Sequence, residues 1–285
     1  MSMDWAAARR VSYLVEQSFR YDYPAPIRDL RHRLVVIPPE RFGDQRRLDH
    51  RLEVDGSGTL VSDRFDEFGN LVVDVLAPEV VARIEFRAEV RVERRASEPH
   101  RLADGWLSAA YLLEPTRLTA ADERLQAAAA ELARSAPWGL ELADRINDWV
   151  YQAMSYQAGL TDVSTTAAQA LALGRGVCQD YAHVMLALCR ACHLPARYVS
   201  GHLIGEGGTH AWVEVLLPAD DGTGEAIAWP FDPTHASRGG LNQVSIAVGG
   251  DYADVAPTSG TYNADVAGRL TTSKRVLLTE VELAG

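Results

Sequence analysis

The sequence predicts an α+β protein in two domains, a β-sandwich-like unit over residues 1–100 and a mixed helix–strand core over residues 101–285. Three observations carry this. The first hundred residues alternate apolar and polar side chains between turn clusters, the period of half-buried strands. Helical spacing appears only after about residue 105, where the composition changes across Ser97–Gly105. Strands then resume after the helices, so the order is not the βαβ alternation of a parallel sheet. At 47% hydrophobic and 24% charged residues, the composition is globular and excludes disorder, collagen and coiled coil.

In the first part, strands are expected at Ser12–Tyr21, Leu30–Ile37, Arg47–Val54, Thr59–Phe65, Asn70–Leu76 and within Val80–Arg95. Tyr23-Pro-Ala-Pro and Pro38-Pro39 stop the first two, because proline has no N–H for a ladder. Asp55-Gly56-Ser57-Gly58 and Asp66-Glu-Phe-Gly69 read as turns. In the last strand Ile84, Phe86, Ala88, Val90 and Val92 share one parity, with arginine and glutamate mostly on the other. This part shows no cluster with reactive chemistry. In the second part, helices are expected from Thr119 to about Arg134, over Leu140–Met154, over Thr165–Leu173 and from Cys178 to about His193. Strands follow at Ala196–Ile204, His210–Leu217, Ala226–Asp232, Gln243–Val248 and near Lys274–Glu282.

Charge and cysteine content narrow the function classes. The 28 basic residues against 39 acidic ones give a net charge of −11, without the basic footprint of a phosphate-backbone binder. No apolar run reaches the roughly 18–20 residues of a membrane helix. At the N-terminus the charges follow a weak apolar stretch, the wrong order for a secretory signal. Three cysteines are too few, and odd in number, for a disulfide framework. The expectation is a cytoplasmic protein with free thiols, acting on neither nucleic acid nor membrane.

Cys178 is the strongest chemical candidate. It follows Gly174-Arg-Gly176-Val177 and opens a helix, where the positive end of the macrodipole and unpaired N–H groups favour thiolate. The bland alternative is a buried core cysteine. A thiolate nucleophile needs a base, and His210 opens an apolar strand after the glycine-rich Gly205–Thr209 loop. That loop is a candidate lid. A hairpin centred on Asp221 makes His210 and Asp232 direct cross-strand partners, with Cβ atoms roughly 4.5–5.5 Å apart. At that distance an acid can orient an imidazole and fix its tautomer.

The segments around these residues resemble one family. Gly174-Arg-Gly-Val-Cys178-Gln-Asp-Tyr-Ala-His183, Leu194-Pro-Ala-Arg-Tyr-Val-Ser-Gly201, Thr209-His210-Ala-Trp-Val-Glu214 and Trp229-Pro-Phe-Asp232-Pro-Thr234 are similar to blocks of the bacterial transglutaminase-like family. So are Thr161-Asp-Val-Ser-Thr-Thr166 and Val248-Gly-Gly-Asp-Tyr-Ala-Asp-Val255. Arg20-Tyr-Asp-Tyr-Pro24 and Asp66-Glu-Phe-Gly-Asn70 resemble that family's N-terminal domain, so the likeness covers nearly the whole chain. It implies a transglutaminase-like core of the papain-like cysteine proteinase fold. It implies Cys178 as nucleophile, His210 as general base and acid, and Asp232 as the orienting carboxylate. His235 departs from the family, whose members often carry Asn there, and is expected at the rim of the site.

The implied chemistry is thiol acyl transfer on a peptide or protein amide, without cofactor or metal. Hydrolysis is favoured, because water is abundant and nothing marks a dry amine channel. An amine-transferring transamidase and a non-catalytic binding module are the alternatives. The N–H of Cys178 is the expected oxyanion donor, with Tyr156 or Trp212 as candidates for a second. Cys189-Arg-Ala-Cys192-His193 matches a haem-attachment pattern, but its place on an apolar helix favours core packing. His183 and His202 lack ligand-spaced partners and read as structural or rim residues. No calcium-loop pattern is present.

Overall fold

The computed structural model describes residues 5–96, 100–205 and 208–283. Ser97, where the expected domain boundary begins, Gly207 of the glycine loop and the first four residues lie outside these. Among the described residues no helix is long and apolar enough to cross a membrane.

Two antiparallel sheets form the N-terminal part. One has five strands in the order Arg269–Leu283, Ala8–Asp22, Arg83–Arg95, Gln45–Asp55, Arg41–Phe42. The other has four, in the order Thr258–Asn263, Ile27–Ile37, Leu71–Val80, Leu60–Phe65. The alternation predicted from sequence is realised: Ile84, Phe86, Ala88, Val90 and Val92 are all buried. Side chains of the two sheets meet directly. His32 stacks on Phe86 at 4.6 Å between ring centroids, and Gln17 Nε2 donates to the Val36 carbonyl at 3.2 Å.

The expected division at residue 100 does not describe these sheets. Thr258–Asn263 pairs with Ile27–Ile37, and Arg269–Leu283 runs antiparallel to the whole of Ala8–Asp22. The chain therefore leaves the N-terminal sheets, builds the core and returns to close them. Both returning strands are edge strands and largely exposed, so no alternation in their sequence marks where they dock.

The core is a six-stranded sheet in the order Ser237–Arg238, Ala226–Asp232, His210–Pro218, Ala196–Leu203, Gln243–Gly249, with His100–Leu102 also paired to Ala226–Asp232. The helix Cys178–Ala191 lies on it, covered by the helices Glu123–Ser135, Leu140–Ala153 and Ala167–Leu173. Enclosure on all sides explains why this helix is apolar around nearly its whole circumference. The helix starts follow local chemistry. Asp122 accepts from the Leu125 N–H at 2.9 Å, and Thr166 forms a capping box with Gln169. Gly174, at φ +62°, ends the Ala167–Leu173 helix in the left-handed conformation and frees the chain to turn toward Cys178.

The two parts are joined along an edge strand. Gln243–Gly249 has a free edge, and side-chain amides from the N-terminal part fill it. Gln45 donates to the Ser245 carbonyl at 2.8 Å and accepts from its N–H at 2.9 Å. Asn70 treats Val248 the same way, at 2.7 and 2.8 Å. Tyr13 donates to the Leu241 carbonyl at 2.7 Å.

Candidate active site

Cys178 is the first residue of its helix and is half-buried. Asp180, two residues on, fixes the turn that presents it. Its Oδ2 accepts from the Val177 N–H at 2.8 Å and from the Thr161 hydroxyl at 2.7 Å. Burial pushes the Asp180 carboxyl up, against the downward pull of those two bonds. Gly176 is required here, because a Cβ would stand 2.5 Å from Asp180 Oδ2. Asp180 thus holds the turn that carries Cys178. Tyr156 pairs with Gly176 in a short parallel ladder beside the same turn.

His210 and Asp232 come from neighbouring strands, but not as direct partners. Val213 lies opposite Phe231 and Glu214 opposite Pro230, so Asp232 is diagonal to His210. The seven-residue connection after Pro218 moves the register by an even step, which keeps both side chains on one face. The contact forms regardless: His210 Nε2 lies 2.7 Å from Asp232 Oδ2, both groups being buried. Asp232 is held from other sides too. The Thr234 N–H donates to Oδ1 at 3.0 Å, and His235 Nδ1 is 3.0 Å from Oδ2.

Electrostatics link the three predicted residues. Burial disfavours the His210 cation, but hydrogen bonds to Asp232 and Cys178, with their negative charge, outweigh it and raise the imidazole to about 10. Burial likewise opposes ionisation of Asp232, yet the hydrogen bonds and charges of His210 and His235 hold it below the usual carboxylate range. With Nε2 engaged by Asp232, the other ring nitrogen of His210 is the one available to Cys178. The structure therefore brings Cys178, His210 and Asp232 together.

Surrounding residues shape the group. The Trp212 ring lies 6.2 Å from that of His210, and Gly201 leaves room for it, since a Cβ there would stand 2.5 Å from the indole. Behind it, Glu214 pairs with Arg197 across the strands at 2.6 Å. Burial opposes the Glu214 charge, but Arg197 and His100 bring it down to about 2. His183 is buried with Nε2 accepting from the Tyr252 N–H at 3.2 Å, and His202 is buried with Nδ1 3.3 Å from the Gly208 carbonyl. Cys189 and Cys192 are buried in the core, and burial raises both thiols.

Two further residues stand at the site. His235, a departure from the family expected at the rim of the site, stands on the Asp232 carboxylate. Its ligand atom and those of His210 and Asp232 lie within 4.8 Å of one another, a set that could hold a transition metal. An ion there would take Asp232 Oδ2 away from His210. Lys274, from the returning strand, places Nζ 3.4 Å from the Thr209 hydroxyl, next to His210. Its signal was available: it is the only lysine in the sequence.

A model of the bacterial transglutaminase-like N-terminal region matches residues 13–93. A model of the transglutaminase-like superfamily matches residues 126–230, which include Cys178 and His210 and stop two residues short of Asp232. The chain belongs to the transglutaminase-like superfamily. It is 33% identical over 162 residues to an uncharacterised protein of Mycobacterium leprae, covering 53% of this chain and 55% of that one. An uncharacterised protein of Mycobacterium tuberculosis is 37% identical over 131 residues, 42% of this chain and 40% of that one. The matches thus span about half the length of these curated relatives. A solved structure from Cytophaga hutchinsonii, provisionally called a cysteine protease, superposes with a TM-score of 0.76 at 21% identity, covering 97% of this chain and 93% of the other. That likeness carries the fold: a papain-like transglutaminase core with an N-terminal domain.

Proposed function

We propose that this protein is a cysteine-nucleophile acyl-transfer enzyme that hydrolyses an amide or peptide bond through Cys178, His210 and Asp232. The observation that carries the reading is His210 bound through Nε2 to a buried carboxylate at 2.7 Å, which leaves its other ring nitrogen for a thiol at a helix N-terminus. The Cys178 thiolate attacks the amide carbonyl and forms the S–C bond. The oxyanion receives the Cys178 N–H, which has no acceptor within its own helix. His210 gives its proton to the departing amine as the C–N bond breaks, leaving a thioester. His210 then takes a proton from water, whose oxygen attacks the thioester, and the acid and free thiolate are released. Asp232 keeps the imidazole in register and stabilises its cation throughout.

Membership of the superfamily supports a cysteine-based enzyme. Water is taken as acceptor because it is abundant and nothing in the sequence marks a channel that would exclude it. Free thiols fit the proposed cytoplasmic setting. The pair of N-terminal sheets is taken as a sandwich that supports the core. The test is turnover of a glutaminyl amide substrate with a primary amine at millimolar concentration, with and without EDTA. Free acid as the main product, unchanged by EDTA and absent in a folded Cys178→Ala protein, is expected. A predominant amine adduct would replace hydrolysis by amine transfer. Turnover surviving in Cys178→Ala would remove the nucleophile.

A further inference from the structure

Lys274 is the one lysine in a chain whose 27 other basic residues are arginines. It is carried on a strand locked along Ala8–Asp22, where it lies opposite Gln17. Its ammonium sits over the Phe19 ring at 5.6 Å and against the Thr209 hydroxyl, beside His210. Burial pushes its pKa down, and the charge of Cys178 pushes it back up. It also acts electrostatically on His202. Among the described residues no carboxylate lies within ion-pair distance of it.

Among the described residues this half-buried ammonium has no carboxylate partner, which is costly, and as a compact point charge it differs from the broad fork of a guanidinium. Before reaction the thiolate of Cys178 supplies a negative charge, but His210 already answers it. Once the sulfur is acylated that charge is gone, and the ammonium remains against the Thr209 hydroxyl, beside His210. We infer that Lys274 binds a carboxylate carried on the acyl side of the scissile amide, so that the preferred substrates are acidic amides with a free carboxylate close to the reacting carbonyl. This rests on Cys178 being the nucleophile.

The experiment compares two alkylating probes of nearly equal size, iodoacetate and iodoacetamide. In each, the Cys178 thiolate displaces iodide and forms an S–C bond, and only iodoacetate brings a carboxylate. Rates at Cys178 are read by peptide mass mapping at neutral pH and low salt, for wild type, Lys274→Met and Lys274→Gln. Both substitutions are expected to lower the iodoacetate rate about tenfold more than the iodoacetamide rate. Equal falls with both probes would make Lys274 a counterion of the thiolate alone, and no fall with either would remove it from the site; each result overturns the inference. Iodoacetamide on wild type tests the underlying reading by itself. If Cys178 reacts no faster than an ordinary thiol there, the nucleophile assignment fails first and the inference with it.

Discussion

Asp232 makes two kinds of contact with one oxygen: His210 at 2.7 Å and His235 at 3.0 Å share Oδ2. Replacing it by Asn keeps the shape but offers His210 the wrong tautomer, so Asp232→Asn is expected to lower kcat by about a thousandfold or more in a folded protein. Wild-type turnover in that variant would take Asp232 out of the mechanism. The same pair sets a pH window for stability. The His210 pKa is raised to about 10, so its contribution is complete below its ordinary value of about 6.5 and is lost as pH rises toward 10. The Asp232 pKa is lowered, so its contribution is present above its ordinary value of about 3.9 and is lost on acidification through the folded value. The stability difference between wild type and Asp232→Asn should therefore peak between about pH 4 and 6.5. Chemical denaturation across pH 3–10 measures it, and a difference that grows steadily above pH 7 would contradict a protonated His210.

At the scale of elements, the core sheet depends on side chains standing in for a missing strand. Asn70 supplies one donor and one acceptor to Val248, so Asn70→Ala strands both backbone groups and is expected to cost about 2–4 kcal/mol in urea unfolding. A loss below about 0.5 kcal/mol would mean that water fills the gap without penalty. The Asp66–Asn70 turn was legible in the sequence as a turn, but its reach into a distant strand was not, because nothing local records a contact across 178 residues. The hairpin shows the same limit. Its two strands and the shared face of His210 and Asp232 were legible from the apolar runs and the turn placed at Asp221, and a shared face survives any even shift. The exact partners were not, because they depend on how the loop after Pro218 closes. The Cys178 helix was readable from its glycine-flanked start and apolar run, and the pairing of Arg197 with Glu214 only after the strands were adjacent.

For the whole molecule, the connection between first and last strands decides what can fold alone. Sequence alternation suggests that residues 1–100 form an independent unit, yet both of its sheets are completed by strands beyond residue 257. A fragment of residues 1–100 would lack Arg269–Leu283 along the full length of Ala8–Asp22 and Thr258–Asn263 along Ile27–Ile37. It would also lose the core strand that receives Gln45 and Asn70, leaving those buried amides exposed beside Tyr13 and Phe42. Two open edges on apolar strands invite pairing with other copies rather than a stable monomer. The fragment is therefore expected to aggregate or to show no cooperative thermal transition, whereas the intact chain unfolds its N-terminal sheets and its core together. Circular dichroism melts of both, with tryptophan fluorescence reporting the core, decide the matter. A soluble fragment with a sharp transition of its own would mean that the returning strands are an accessory, and Lys274 would then ride on an element free to detach from the site.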